Sequence, residues 1–241
     1  MAIVINDLVG YKNMKIVQNT EYFNFSLESI ILPHFCNLTS KIKTIVDFCT
    51  GNAPIPLILS TMTNAKIIGV EIQEKVCELA NESIKINNLE DQINILNLDI
   101  NHLNKYIKSD SVDLITCNPP YFKIEKSSNF NKNMVKSVAR HEICVTLQDI
   151  CNMAKKILKN GCSLIMVHRT ERFTDVVLTL KKNNLEPKVV QFIYPKKNEE
   201  SNLFLISAVK DGKVGLKVLE PLVCHNEDGT YTDEIIKMFE R

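Results

Sequence analysis

The stretch Asn118-Pro119-Pro120-Tyr121 combines groups that could activate a weak amino nucleophile. An exocyclic amino group on a purine reacts poorly, because its lone pair is delocalised into the ring. The side-chain oxygen of Asn118 and the main-chain carbonyl of Pro119 could accept its two N–H donors and favour a more tetrahedral nitrogen. Tyr121 could stack on the ring. Taken alone, the four residues equally fit an ordinary proline-rich turn after a strand.

A buried strand is needed to position this turn. The apolar run Val112–Cys117 predicts such a strand, and the prolines end it because proline cannot donate to a strand ladder. Ligands of open α/β sheets bind at the carboxyl ends of the strands. Three earlier predicted strands also end in acidic residues, namely Asp47, Glu71 and Asp99. Each alone could be a helix cap or a solvated turn, but with Asn118 they would line a site shaped for a nucleoside.

The segment around Gly51 predicts a corner that favours anions and ligands. Thr44–Phe48 is typical of a buried parallel strand, Gly51 of a tight turn and Pro54 of a helix start. Amides at a helix N terminus point toward whatever lies over the turn. Glu71 follows Gly51 by twenty positions, the spacing at which an acidic residue reaches ribose hydroxyls.

Residues 123–140 are basic and show no helical or strand period. They could form a loop that contacts phosphates, or only a solvated loop in a lysine-rich sequence. His141 follows, and it could be a base or a phosphate contact, although a lone histidine is more often structural. The candidate RNA-binding residues are Lys123, Lys126, Lys132, Lys136, Arg140 and His141.

Length and composition limit the class of protein. The chain has 241 residues, 27.5 kDa and a net charge of +1, which predicts one α/β domain whose nucleic-acid contacts come from a local patch. Its eight cysteines form no CxxC pair and no Cys/His spacing typical of metal ligands. We therefore expect no metal and a reducing compartment. With no signal peptide or membrane span apparent, we expect a cytoplasmic protein. The oligomeric state stays open.

The order of elements predicts an α/β fold with a doubly wound, seven-stranded, mostly parallel sheet. The last strand would be antiparallel, because 188–194 and 202–209 are typical of a closing hairpin. Residues 1–40 predict a hairpin and helix extension. Residues 41–241 predict the main domain, with a C-terminal extension from about 212.

Over roughly residues 40–210 this pattern resembles the Rossmann-like, class I S-adenosylmethionine-dependent methyltransferases, in particular the branch that methylates amino groups. VDFCTGNA is similar to their glycine-rich first motif and NPPY to their catalytic motif. The resemblance implies S-adenosylmethionine as cofactor. It implies that Asp47 lies near the methionine amino group and that Gly51 lets the backbone approach the cofactor. It also implies that Glu71 holds the ribose hydroxyls and that Asp99 holds the adenine amino group. The cofactor-binding residues implied in this way are Asp47, Cys49, Gly51, Glu71, Ile72, Asp99, Ile100 and Asn118.

Within that branch the layout is similar to the bacterial valine-tRNA adenine-N6-methyltransferase family. The similar stretches are FNFSLESIIL, the RHE triplet, VHRTERF, NLFLISAVKDGKVGLKVLEPL and GTYTDE. The resemblance implies tRNA as partner and N6-methylation of the adenine 3′ of the valine anticodon. Such an unpaired base can enter a pocket for roughly a few kcal/mol of unstacking. Stacking on Tyr121, with Phe122 or Phe25, could offset this cost.

Three alternatives stay open. Glutamine in a protein offers Asn118 the same two N–H donors, but known enzymes of that kind carry a helical N-terminal domain for which about 40 residues leave little room. A DNA adenine methyltransferase would need a target-recognition domain, and none is apparent. A non-catalytic module that binds the cofactor or RNA is suggested by Cys49 and Ala53, which stand where glycine is usual. An intact Asn118 argues against that module.

Overall fold

The computed structural model of the protein describes residues 3–8, 10–11, 13–22, 26–121 and 145–239. The helices are α1 (Leu27–Phe35), α2 (Pro54–Ser60), α3 (Glu74–Ile86), α4 (Leu147–Ile157), α5 (Phe173–Lys182) and α6 (Asp233–Phe239), with 3₁₀ turns at Ile100–Lys105 and Thr170–Arg172. The strands are β1 (Ile3–Asp7), β2 (Lys15–Asn19), β3 (Thr44–Phe48), β4 (Lys66–Glu71), β5 (Ile93–Asn97), β6 (Val112–Cys117), β7 (Leu158–Arg169), β8 (Leu185–Lys196), β9 (Leu203–Lys210), β10 (Lys217–Val218) and β11 (Leu222–His225).

Seven neighbouring strands make up most of the main sheet, in the order β8-β9-β7-β6-β3-β4-β5, with β5 at one edge. Strand β9 runs antiparallel to both of its neighbours, and the other strands of this group pair in parallel. This arrangement confirms the predicted α/β class, the mostly parallel sheet and the antiparallel last strand. Because the parallel strands share one direction, the residues that follow β3, β4, β5, β6 and β7 all emerge at one edge.

Helices cover both faces of the sheet, so the fold is doubly wound as predicted. Helices α1, α2 and α3 pack on one face, where their apolar side chains join those of alternate strand residues such as Ile45 and Leu114. Helices α4 and α5 pack on the other face, against the intervening residues such as Val46 and Ile115. The central strands β3 and β6 are therefore buried on both sides, which is why they have nearly continuous apolar sequences.

The C-terminal segment adds two short strands to the seven. Both β10 and β11 pair in parallel with β8, the first near Val189 and the second near Ile193. They cover the outer side of a strand that would otherwise leave its N–H and C=O groups unpaired. Helix α6 follows and packs on α1. A strand as short as β10 carries too few residues to show an alternating pattern, so its pairing was not predictable from sequence.

The N-terminal residues form an antiparallel hairpin, β1 with β2, outside the main sheet. Strand β2 packs on α3, where the Val17 amide donates to Ser83 Oγ at 2.9 Å. The Asn52 side chain donates to the Val17 carbonyl at 2.9 Å, which ties the hairpin to the turn after β3. In the described ranges no helix is long and apolar enough to cross a membrane.

Candidate active site

The carboxyl ends of four neighbouring parallel strands bring the predicted polar residues to one edge of the sheet. Asp47 lies opposite Thr116 in the β3–β6 pairing, and Glu71 lies opposite Asn97 in the β4–β5 pairing. Asp99 follows β5 by two residues, and Asn118 directly follows β6. The structure therefore places these strand ends together, and the roles assigned to them stay predictions.

Asp47 is fully buried, and both of its carboxylate oxygens accept hydrogen bonds. Thr50 Oγ1 donates to Oδ2 and Thr116 Oγ1 donates to Oδ1, each at 2.6 Å. Burial raises the pKa of Asp47 to about 7, opposed by the two hydroxyl bonds and assisted by the nearby charge of Glu71. A cationic group close to Asp47 would favour its ionised form. Sequence reasoning missed both threonines, since neither the hydroxyl of Thr116 inside an apolar strand nor that of Thr50 in the following turn gives a signal of its partner.

The turn after β3 uses left-handed backbone at three alternate positions. Cys49, Gly51 and Ala53 have φ angles of 56°, 58° and 69°. At two of them the residue is not glycine, so the turn keeps a conformation that costs L-residues roughly 1–2 kcal/mol each. A Cβ placed on Gly51 would meet no atom within 4 Å. The space over Gly51 is thus open, which fits close approach of a ligand to the backbone at this position.

Glu71 links the end of β4 to that turn. Its Oε2 accepts from the Gly51 amide at 3.0 Å and its Oε1 from the Gln73 amide at 2.9 Å. Burial raises the pKa of Glu71, and these amide bonds lower it. Asn97 Nδ2 donates to the carbonyls of Glu71 and Ile72, at 3.0 and 3.1 Å. The carboxylate is therefore held in a fixed position beside the open turn. Ile72, 38% exposed, presents an apolar side chain next to it.

Asp99 and Ile100 begin the 3₁₀ turn that follows β5. Asp99 caps this turn, since its Oδ1 accepts from the Asn101 amide at 2.8 Å. This is the capping role that any single acidic residue after a strand could have. Ile100 is buried among apolar residues of the sheet face, so its side chain supports the turn from below.

Asn118 is held from two sides. The Tyr121 hydroxyl donates to Asn118 Oδ1, and Asn118 Nδ2 donates to Ser29 Oγ at 3.5 Å. Ser29 is buried in the first turn of α1. A donor on one side and an acceptor on the other give the amide a defined orientation. Sequence reasoning missed Ser29, because it lies 89 positions from Asn118 and meets it only through the packing of α1.

Tyr121 is partly buried and packs against the apolar core, and its predicted stacking on a substrate ring stays a prediction. Its ring meets His168 edge-on at a centroid distance of 5.5 Å, and Arg172 Nη1 donates to its main-chain carbonyl at 3.1 Å. Burial raises the pKa of the Tyr121 hydroxyl well above its usual value, so the hydroxyl stays a donor. His168 and Arg172 were not predicted as site residues, although both belong to the VHRTERF stretch.

The candidate RNA-binding residues Lys123, Lys126, Lys132, Lys136, Arg140 and His141 lie outside the described residues, as do Phe25 and Phe122. Their roles stay predictions. Within the part of the chain that is described, no group of three or more His, Cys, Asp or Glu side chains is placed to hold a metal ion.

This geometry is that of a methyltransferase domain, and comparison with known proteins agrees. Residues 39–204 match the family model described as "Methyltransferase domain". Because the match spans more than half of the chain, the protein belongs to this family, which confirms the resemblance found in the sequence. Membership supports S-adenosylmethionine as the cofactor. The donor set fits it, with buried carboxylates at Asp47 and Glu71 beside the open turn at Gly51.

Curated relatives are more specific but distant. A tRNA1(Val) (adenine(37)-N6)-methyltransferase of Haemophilus influenzae (strain PittEE) is 24% identical over 234 residues, which cover 95% of this chain and 94% of the relative. A protein of the same name from Shewanella woodyi is 21% identical over 220 residues, covering 88% and 89%. Among solved structures, a predicted O-methyltransferase from Agrobacterium tumefaciens shares the fold, with 15% identity, a TM-score of 0.70 and coverage of 88% and 94%.

Proposed function

We propose that this protein transfers a methyl group from S-adenosylmethionine to N6 of an adenine in tRNA. In its most specific form, the target is adenine 37 of valine tRNA. The observation that carries the proposal is the orientation of Asn118 at the carboxyl end of β6, where its amide oxygen accepts from the Tyr121 hydroxyl and its amide nitrogen faces Ser29 Oγ at 3.5 Å. A purely cofactor-binding module has no need for an amide held in this way. The names of the distant relatives support tRNA as the substrate.

The cofactor would bind across the ends of β3, β4 and β5. Asp47 would lie near its amino group, Gly51 would let the backbone approach the cofactor closely, and Glu71 would accept from the ribose hydroxyls. Asp99 would accept from the adenine amino group, with Ile72 and the main chain of Ile100 beside the ring. When bound, the cofactor supplies an electrophilic methyl group on a sulfonium. Cys49 lies in the same turn as Gly51 and would contact the cofactor through its backbone.

The target adenine would present its amino group to Asn118 Oδ1 and to the carbonyl of Pro119. Pro120 restricts the backbone conformation of the turn, because its φ angle is fixed by the proline ring, as is that of Pro119. Two acceptors on one amino group draw its hydrogens to one side and leave the lone pair directed at the methyl donor. Alignment is then the main requirement of the reaction.

No residue in the described part of the chain is needed as a general base, since the proton can leave after the new bond has formed. His168 does not supply one. Burial, followed by the nearby charge of Arg172, lowers its pKa to about 4. At that pKa the neutral ring is a weak base, and it packs between the rings of Tyr121 and Phe204.

Methyl transfer to defined RNA tests the proposal. The protein is incubated with cofactor carrying a labelled methyl group and with unmodified tRNA transcripts, and the labelled nucleoside is identified after digestion. We expect N6-methyladenosine from valine tRNA and none from the same transcript with adenine 37 replaced by guanine. Equal labelling of both transcripts would reject the target position. RNA left unlabelled by protein that demonstrably binds the cofactor would reject the tRNA substrate.

A further inference from the structure

The stretch Val167–Phe173 lies beside the NPPY turn without a role in the reaction proposed above. Strands β6 and β7 are parallel neighbours, with Cys117 opposite Met166. The residues that follow each strand therefore emerge side by side at the same edge of the sheet. The turn after β6 is Asn118–Tyr121, and the end of β7 leads into the 3₁₀ turn Thr170–Arg172.

Arg172 joins these two segments. Its Nη1 donates to the main-chain carbonyl of Tyr121 at 3.1 Å, and its Nε donates to Asp175 Oδ2 at 3.1 Å. The Arg172 side chain is only 11% exposed. A guanidinium can make both bonds at once because its donors diverge in one plane, whereas a lysine ammonium on a flexible stem lacks this fork. Asp175, on the first turn of α5, thus aims Arg172 at the end of the NPPY turn.

His168 supports the ring of the same tyrosine. It is 1% exposed and lies between Tyr121, at 5.5 Å, and Phe204, at 6.4 Å between ring centroids. The Arg169 amide donates to His168 Nδ1 at 2.9 Å, so Nδ1 acts as an acceptor and the neutral ring carries its proton on Nε2. Phe173 packs edge-on against Phe204 at 5.0 Å and secures the 3₁₀ turn from below.

We infer that Arg172 is a positioning residue that fixes the NPPY turn through the Tyr121 carbonyl, while His168 supports the Tyr121 ring. The inference rests on the proposed function, because the turn must present Asn118 and the Pro119 carbonyl to the same amino group. Without Arg172 the end of the turn loses its charged hydrogen-bond donor. The two acceptors would then be aligned in a smaller fraction of molecules, while the cofactor-binding strand ends are unchanged.

The test compares Arg172→Ala and Arg172→Lys with Lys181→Ala as matched control. Lys181 is a cation near the other end of α5, the helix that begins directly after Arg172, and it pairs with Glu186 at 2.6 Å on the exposed side. For Arg172→Ala we expect kcat for tRNA methylation to fall about 10- to 100-fold, the loss expected for a hydrogen bond from a charged group. Cofactor affinity should stay within about twofold of wild type. Millimolar guanidinium should restore part of the lost kcat in this variant only.

Hydrogen exchange gives a readout that does not depend on the reaction. Exchange of the backbone amides in 112–121 should be several-fold faster in Arg172→Ala and unchanged in Lys181→Ala. If Arg172→Ala does not fold, Arg172→Lys replaces it, with a smaller fall in kcat and a correspondingly smaller increase in exchange. An unchanged kcat, or equal losses of kcat, cofactor affinity and thermal stability, would overturn the inference. If the wild type does not methylate tRNA, the proposed function fails. If exchange in 112–121 is unchanged in Arg172→Ala, the positioning role of Arg172 is overturned, whatever the activity of the wild type.

Discussion

The hydroxyl of Tyr121 donates a hydrogen bond to Oδ1 of Asn118, the oxygen that the proposed reaction uses to accept from the target amino group. The oxygen that would accept from the substrate thus already accepts a hydrogen bond from the protein itself. A substrate must therefore share or displace this hydrogen bond. The cost is modest, because a typical hydrogen bond contributes about 0.5–1.5 kcal/mol net.

Removing this hydroxyl should help substrate binding. In Tyr121→Phe the ring and its contact with His168 are retained, but Asn118 Oδ1 no longer accepts from the enzyme. We expect KM for tRNA to fall about two- to tenfold, because the substrate amino group no longer competes with the hydroxyl. We also expect kcat to fall several-fold, because the contact with Ser29 alone then orients the Asn118 amide. Tyr121→Ala is the matched control, since it removes the ring as well and should weaken tRNA binding by about 1–3 kcal/mol if the base stacks on it. Equal losses in the two variants would show that the hydroxyl itself is required.

The left-handed turn after β3 predicts that glycine at Cys49 stabilises the fold. Cys49→Gly removes roughly 1–2 kcal/mol of backbone strain, partly offset by about 0.4–1 kcal/mol of extra entropy in the unfolded chain. Cys49→Ala is the reference, because it keeps the strain and also lacks the thiol that packs against the core. Relative to that variant we expect a net gain of about 0.5–1 kcal/mol in the free energy of unfolding, measured by urea denaturation. Ala65→Gly is the control, because Ala65 is buried without a positive φ angle and its replacement should destabilise. Lower stability of Cys49→Gly than of Cys49→Ala would contradict the predicted strain at this position.

Asp47 predicts a pH dependence of stability. Its pKa is raised to about 7 in the folded protein and is about 3.9 in an unfolded chain. The folded state therefore binds more protons between these values, so stability is greatest below about pH 4 for this group and falls as pH rises to about 7. Asp47→Asn should flatten this decline in part. The raised pKa of Glu71 acts in the same direction and remains. Urea denaturation between pH 5 and 8 checks the change in slope, and identical slopes would contradict it.

The same carboxyl group predicts a pH dependence of cofactor affinity. A cationic amino group near Asp47 prefers the ionised form, so affinity for S-adenosylmethionine should rise as pH increases through about 7. Titration calorimetry at pH 6 and 8 measures the rise, which Asp47→Asn should largely remove. A rise of the same size in Asp47→Asn would place the amino group elsewhere.

The basic segment predicts a salt-dependent contact with RNA. Replacement of Lys126, Lys132 and Lys136 by alanine should weaken tRNA binding and flatten its dependence on salt, because fewer counterions are released per complex. Binding is measured at several salt concentrations. Replacement of Lys181 on the exposed side of α5 serves as control. A salt slope equal to that of wild type would show that the segment is only a solvated loop.

The strand ends and the sheet were predictable because they depend on local patterns. Apolar runs followed by a polar residue or a glycine predict Asp47, Glu71 and Asn118 at strand ends, and a parallel sheet necessarily gathers such ends at one edge. The contacts around Tyr121 were not predictable. Ser29 and Arg172 reach the turn only through the packing of α1 and the pairing of β6 with β7, and neither distance in sequence nor residue type indicates such a partner.

The role of Asn118 is tested most directly by the Asn118→Ala variant, assayed for transfer of a labelled methyl group to adenine N6 in tRNA alongside equilibrium binding of S-adenosylmethionine. We expect methyl transfer to be lost while cofactor affinity stays within a few fold of wild type, because Asn118 serves the target amino group. If cofactor affinity collapsed together with activity, or if the variant methylated tRNA at the wild-type rate, this assignment of Asn118 would be contradicted.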